Sequence, residues 1–213
     1  TDLQLDTYQF SFYGGYNFNE KWFYNGSLSF SLSQVHSVRS NVGGAGLTAK
    51  AQYDSEQLVF FSELGRGYHT GKWRLTPSVL SKYSYIETEN FRERGAGGMN
   101  LSVSVDSVQA LEVGTRFKSE WQQQLQNDLY FIAGAELGYS YDVIGDDAQA
   151  IASLQAGGQQ QAIEGYSSQN NIFDFGLSST VAADSWEIAL DYDMMWRGDL
   201  LTHTGYIRST YKF

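Results

Sequence analysis

Residues 205–213 read GYIRSTYKF, and their polarity alternates up to a terminal aromatic residue. Successive side chains of a strand point to opposite faces. One face then carries Gly205, Ile207, Ser209, Tyr211 and Phe213. A soluble domain rarely ends on an aromatic residue in mid-strand, because chain termini usually fray. A closed membrane barrel pairs its last strand with its first, so this stretch predicts the closing strand of an outer-membrane barrel.

The composition of the whole chain favours the same fold. Aromatic residues make up 15% of the sequence, Gly occurs 22 times and Pro once, a mixture that suits uninterrupted strands. The hydrophobic fraction is only 42%, and no apolar run approaches the roughly 18–20 residues of a membrane-spanning helix. The net charge of -10 argues against nucleic acid as a partner. Without cysteine, a disulfide scaffold and a cysteine metal site are excluded.

A two-residue periodicity recurs along the chain and predicts an all-β, antiparallel transmembrane barrel domain spanning residues 1–213. Nine strands are predicted, at residues 3–18, 22–35, 49–68, 72–89, 111–125, 129–144, 172–182, 186–197 and 202–213. Short turns alternate with longer connections, as in outer-membrane barrels. The short turns lie at 19–20, 69–71, 126–128 and 183–184; the longer links lie at 37–48, 90–106, 145–170 and 198–201.

The alternation also assigns side chains to two faces. The face predicted to contact lipid carries Leu111, Val113, Phe117, Trp121, Phe131, Leu137, Ile188, Leu190 and Met194. The face predicted to line the lumen carries Glu112, Arg116, Lys118, Glu120, Glu136, Asp191, Asp193, Arg197, Arg208 and Lys212. Two interpretations of these charges stay open. In the first, the charges solvate the lumen and pair across strands. In the second, some of them act on a chain segment that passes through the lumen.

The number of strands fixes an orientation. If the last strand ends in the periplasm, nine alternating strands place Thr1 at the cell surface, with the long loops outside. Single-chain bacterial barrels have even strand counts and begin in the periplasm. An odd number of strands is therefore expected upstream.

Several motifs in order resemble a known family. They are YGGY at 13–16, WRLTP at 73–77, YSY at 83–85, FRER at 91–94, GAGGMNLSV at 95–103, LEVGTRF at 111–117 and the Tyr-x-Phe at 211–213. Together they resemble the C-terminal translocator barrel of monomeric autotransporters, the type V secretion proteins of Gram-negative bacteria. The resemblance implies a twelve-stranded barrel with an α-helical linker in its pore and a passenger domain upstream. Three strands, the linker and the passenger would then precede residue 1.

The resemblance also implies a function and its partners. The domain would anchor in outer-membrane lipid and support ATP-free export of its own passenger to the cell surface. The barrel-assembly machinery would recognise the last strand, with Gly205, Ile207, Tyr211 and Phe213 as the assembly signal. In some members, luminal carboxylates cleave the linker, and this sequence does not single out such a residue.

A search for catalytic and ligand-binding motifs gives no enzyme, metal or cofactor assignment. Gly95–Gly98 lacks the Lys-Ser/Thr of a phosphate loop, and a flexible surface loop is expected there. His36, His69 and His203 fall at strand ends without ligand-like spacing. The Ala- and Gln-rich residues 149–165 predict a mobile extracellular loop, with a short surface helix as the alternative.

Two rival functions remain. The first is a stand-alone small porin or adhesin barrel without a passenger, which predicts a signal peptide shortly before Thr1. The second is a membrane-embedded hydrolase of barrel fold, which requires an inward or rim Ser/His/acid cluster. The upstream gene sequence separates the first rival from the autotransporter hypothesis.

Overall fold

The computed structural model describes residues 1–126, 128–165 and 169–211. Its regular elements are almost all strands, with one 3₁₀ turn at Gly97–Met99. The strands are β1 (Asp2–Asn17), β2 (Trp22–Val42), β3 (Leu47–Arg66), β4 (Tyr68–Thr70), β5 (Trp73–Thr88), β6 (Phe91–Arg92), β7 (Leu101–Val105), β8 (Val108–Gln126), β9 (Leu129–Asp142), β10 (Gln149–Leu154), β11 (Gln161–Glu164), β12 (Asn171–Ala182), β13 (Trp186–Arg197) and β14 (Leu200–Tyr211).

The main sheet is antiparallel and follows the chain. Its order is β1-β2-β3-β5-β8-β9-β12-β13-β14, and β4 continues β3 beyond Gly67 against the same partner, β5. These are the nine predicted strands, so the all-β antiparallel prediction is confirmed. The largest difference is in β2, which was predicted to end at residue 35 and runs to Val42.

The large apolar side chains of this sheet do not share a core. Val113, Leu137 and Leu190 are 47%, 60% and 57% exposed. All nine residues of the predicted lipid-facing set are half-buried or exposed. A water-soluble sheet would bury this face against another layer, so the sheet presents an apolar outer surface.

The opposite face is concave. Arg197 on β13 lies 3.2 Å from Glu112 on β8, although β9 and β12 separate these strands. Arg116 on β8 likewise lies 3.7 Å from Glu63 on β3, across β5. Side chains of non-neighbouring strands meet only on the inside of a curled sheet. The sheet is therefore a half-barrel with charged groups inside.

A second, four-stranded sheet of order β11-β10-β7-β6 folds over one end of the half-barrel. Residues 149–165 therefore form strands β10 and β11 in place of the predicted mobile loop or helix. β10 pairs with β7 from Ala150↔Val105 to Leu154↔Leu101. This long-range pairing overrides the helix propensity of Ala and Gln, which is a weak determinant.

The Gly95–Gly98 segment also differs from the predicted flexible loop. Gly95 has a φ of 107°, and a Cβ there would lie 2.5 Å from the carbonyl oxygen of Thr48, so only glycine fits. This turn places Ala96, 2% exposed, against Val42 and Ala49. The segment joins the end of β2 and the start of β3 to the smaller sheet.

The main sheet stays open. β1 and β14 are its two ends, with no pairing between them among the described residues, and every residue of both strands is exposed. In the described part of the chain, no helix has the length and hydrophobicity needed to span a membrane.

Candidate functional site: the inner charge face

The concave surface of strands β3, β5, β8, β9, β12, β13 and β14, here called the inner charge face, is the candidate site. Strand alternation points every second side chain of these strands to the concave side, and many of those side chains are charged. Glycines on the same face make room for them. A Cβ at Gly176 would lie 3.1 Å from Asp193 Oδ1 and 3.4 Å from Glu136 Cβ. The local sequence thus combines long charged side chains with glycine neighbours, which have no side chain.

Arg116 is the centre of the first cluster. Its Nε lies 2.9 Å from Glu136 Oε1. The two groups form an ion pair, but the direction of the N–H group does not meet the geometry of a hydrogen bond. Arg116 Nη1 lies 3.7 Å from Glu63. Glu63 is buried, and it accepts hydrogen bonds from Ser78 Oγ at 2.7 Å and Asn25 Nδ2 at 3.3 Å. The cluster ties β2, β3, β5, β8 and β9 together on the inner side.

Arg197 holds the second cluster at the long-loop end. Glu112 and Asp142 face each other across β8 and β9, and two opposed carboxylates repel. Arg197 lies between them, 3.2 Å from Glu112 and 2.7 Å from Asp142. Lys82 adds a contact to Glu112 at 3.2 Å. Asp142 is 1% exposed and also accepts hydrogen bonds from the backbone N–H groups of Leu111 and Gly145.

The remaining predicted charges form smaller contacts. Lys118 Nζ lies 2.9 Å from Glu120, and Arg208 lies 3.7 Å from Glu187. Asp191 and Asp193 line a depression of about 220 Å³ with residues that include Lys118, Glu136 and Arg208. Lys212 lies outside the described residues. Among the described residues, the predicted charges do not gather in one pocket; they lie along the concave surface in two clusters and several smaller contacts.

Three of the four predicted assembly-signal residues lie on the last described strand. Gly205, Ile207 and Tyr211 share the outer face of β14, and Ile207 and Tyr211 are 76% and 63% exposed. Tyr211 is paired in register with Trp186 of β13. Phe213 lies outside the described residues.

Sequence reasoning missed several partners on the inner charge face. They are Glu63, Arg74, Lys82, Asp142 and Asp174. Extending the alternation already recognised in their strands would have placed them on that face. Their pairing, in contrast, depends on strand register and curl, which no local pattern supplies.

An ion pair between Arg39 and the buried Glu93 joins the smaller sheet to the main one. Arg39 Nε donates to Glu93 Oε1 at 3.0 Å, and Leu101 N–H donates to Glu93 Oε2 at 2.8 Å. Glu93 is 5% exposed. Burial opposes ionisation of Glu93, but the hydrogen bonds and charge of Arg39 and the Leu101 hydrogen bond outweigh it, so its pKa lies below the ordinary value. The pair joins β2 to the loop that contains β6 and β7.

Replacing Glu93 by Gln should loosen this junction by about 1–3 kcal/mol, because charge-assisted hydrogen bonds are lost. A lowered folded-state pKa gives stability that is complete above the unfolded pKa, about 4.3, and is lost as pH falls through the folded value. In the parent protein, hydrogen exchange of residues 91–105 should therefore rise in acid, after correction for intrinsic rates.

In Glu93→Gln, exchange should already be raised at pH 7, without the acid step. Glu56→Gln, at an exposed position of β3, is the control and should match the parent. Equal protection of Glu93→Gln and the parent at pH 7 would show that the pair does not hold the sheets together.

The open curled sheet, apolar outside and ion-paired inside, defines a class: the outer-membrane β-barrel fold. Residues 1–193 match the family described as Autotransporter beta-domain. The chain therefore belongs to the autotransporter β-domain family, whose translocator domains are outer-membrane barrels of type V secretion. A comparison with curated protein sequences finds no match.

Two solved structures are similar to this chain. The translocator domain of the autotransporter NalP from Neisseria meningitidis is 17% identical, with a TM-score of 0.63; the match covers 99% of this chain and 68% of that one. The β-domain of the Bordetella autotransporter BrkA is 14% identical, with a TM-score of 0.64, covering 99% and 75%. At these identities the likeness establishes the fold.

Proposed function

We propose that this chain is most of the translocator barrel of an autotransporter, which anchors in the outer membrane and supports export of its own N-terminal passenger. One observation carries the proposal: in a member of this family, an exposed apolar outer face backs a concave face of ion pairs. The outer face suits lipid, and the inner face suits a wet lumen. The role is transport and anchoring, without a catalytic step.

The open sheet supports the presence of further strands. Unpaired backbone groups at β1 and β14 cannot face hydrocarbon, since each would lack a hydrogen-bond partner. Three upstream strands would close the sheet into a twelve-stranded barrel, with β14 pairing to the first of them. A linker helix inside it would contact the inner charge face, whose Arg116 and Arg197 clusters line the path.

Two long connections, from β5 to β8 and from β9 to β12, support an orientation. The short turns between β1 and β2, β8 and β9, and β12 and β13 would lie in the periplasm. The smaller sheet belongs to the longer links and would lie outside the cell. The barrel-assembly machinery would insert the barrel, starting from the strand that ends the chain. The passenger would pass as a hairpin without ATP.

The deciding experiment follows the passenger of the complete protein. An epitope placed at the start of the passenger should become accessible to antibody and external protease on intact cells. Deleting strands β8–β14 should abolish that exposure. Finding a signal peptide directly before these strands, with no passenger, would favour the small porin or adhesin barrel instead.

The sequence-based assembly signal gives a separate prediction. Deleting Phe213, or replacing it by Asp, should lower outer-membrane assembly several-fold, since either change removes the terminal aromatic residue of the proposed assembly signal. Lys212→Ala is the matched control and should assemble nearly as the parent does, because luminal substitutions mainly tune charge. Heat-modifiable gel mobility measures assembly. Equal assembly of the Phe213 deletion and the parent would refute the signal.

A further inference from the structure

A cation lies on the outer face of the sheet at the short-turn end. Arg66, the last residue of β3, stands directly across from Trp22 of β2. Its guanidinium carbon lies 5.4 Å from the ring centroid of Trp22 and 4.8 Å from that of Tyr68. Two aromatic faces thus hold the guanidinium by cation–π attraction. The same rings are the residues that belts at a membrane surface favour.

The guanidinium of Arg66 donates to no group in the described part of the chain. Its buried Nε has no hydrogen-bond partner, and Arg66 makes no ion pair among the described residues. The arginines of the inner charge face differ, because each has a carboxylate within 4 Å. A guanidinium offers five donors in a fork that matches a phosphate group. Because the Nε is buried, the Nη groups of Arg66 are the donors that an anionic oxygen group from outside the chain can reach.

An apolar groove begins beside this cation. It has a volume of about 670 Å³, within the size range of small-molecule sites, and Trp22, Arg66 and Tyr68 form part of its lining. The rest of its outward wall includes Leu64, Val79, Phe117 and Leu137, all of which are exposed. A charged group with an apolar channel next to it matches a molecule that has a phosphate and a hydrocarbon chain.

We propose that this site binds one phospholipid, with the phosphate on Arg66 and an acyl chain along the groove. The proposal rests on the proposed membrane orientation, which places Arg66 at the periplasmic leaflet. Free phosphate would leave the groove unused, and a neutral apolar molecule would leave Arg66 unpaired. Trp22 and Tyr68 would stand at headgroup level, where amphipathic aromatic rings are stable.

Native mass spectrometry of the complete protein, folded in detergent, tests the site with palmitoyl-oleoyl phosphatidylglycerol as the probe. Arg66→Gln should lower the occupancy of one bound lipid about tenfold, the loss expected for one charge-assisted contact. Val79→Trp should lower it similarly by filling the groove without changing charge. Arg74→Gln is the matched control, since Arg74 lies at the same end on the inner face and pairs at 3.9 Å with Glu120.

Each outcome decides between hypotheses. Glycerol phosphate and palmitoyl-oleoyl glycerol, which carry the two halves of the probe, should both bind more weakly than the phospholipid. Equal lipid retention by Arg66→Gln, Arg74→Gln and the parent would overturn the site while leaving the barrel intact. Failure of the parent to insert into vesicles with heat-modifiable mobility would instead refute the proposed membrane function, and the lipid site with it.

Discussion

Arg197→Met should destabilise the folded barrel by about 3–5 kcal/mol, the cost of leaving a buried charge without its partner. The substitution removes the only cation between Glu112 and Asp142 that contacts both among the described residues. Asp142 is 1% exposed, so water cannot solvate it in place of the guanidinium. Two facing carboxylates would then repel each other at the long-loop end. Urea titration of the folded protein in detergent measures the change.

Two further variants separate charge from packing. Arg208→Met removes an arginine that is 60% exposed and 3.7 Å from Glu187, and it should cost less than about 1 kcal/mol. Adding Asp142→Asn and Glu112→Gln to Arg197→Met should restore much of the lost stability, because no buried carboxylate is then left unpaired. Lys82 loses Glu112 in this variant, but its side chain is 42% exposed and water can solvate it. A single Arg197→Met variant as stable as the parent would contradict the role of this cluster.

Leu190→Lys should cost about 2–4 kcal/mol of stability in lipid, the value expected for a cation at the bilayer midplane. Leu190 is 57% exposed on the outer face of β13, and it lies between Trp186 and Trp196 near the two ends of that strand. If aromatic residues mark the two interfaces, Leu190 lies close to the middle of the hydrocarbon layer. Reversible unfolding from lipid vesicles measures the difference.

Thr204→Lys is the matched lysine substitution. Thr204 is exposed on the concave side of β14, opposite Asp193, so the new cation would meet water and an acidic neighbour. We expect a change within about 0.5 kcal/mol there. A Leu190→Lys variant as stable in lipid as Thr204→Lys would show that the outer face does not contact hydrocarbon.

The strands were predictable because their signal is local. The alternation of aromatic and charged residues at 186–197 predicted the bounds of β13 as observed, and strands joined by short turns, such as β12 and β13, pair in the main sheet. The smaller sheet was not predictable in this way. Arg39 and Glu93 are 54 positions apart, and β10 joins β7 across the whole of β8 and β9. No pattern within either segment indicates its partner.

The inner charge face was predicted in part for a related reason. Alternation places Arg116 and Lys118 on one face of β8, and any register that keeps the apolar faces together puts Glu136 on the same side, since a shift by two residues preserves facing. Their pairing is less direct. Lys118 stands across from Glu136 in register, yet Glu136 pairs with Arg116 and Lys118 pairs with Glu120. The length of each side chain and the curvature of the sheet decide which residues form ion pairs. This choice can be seen only in the three-dimensional structure.

The unequal lengths of the strands give the mouth of the proposed barrel a slanted rim. β2 and β3 have 21 and 20 residues, whereas β12, β13 and β14 have 12 each. A tilted strand crosses a bilayer in about 9–11 residues. About ten residues of β2 and β3 therefore rise beyond the lipid, some 25 Å at the usual tilt. A polypeptide leaving the lumen would pass the extended strands β2 and β3 on one side. On the other side, where β12–β14 end, it would reach the lipid surface at once.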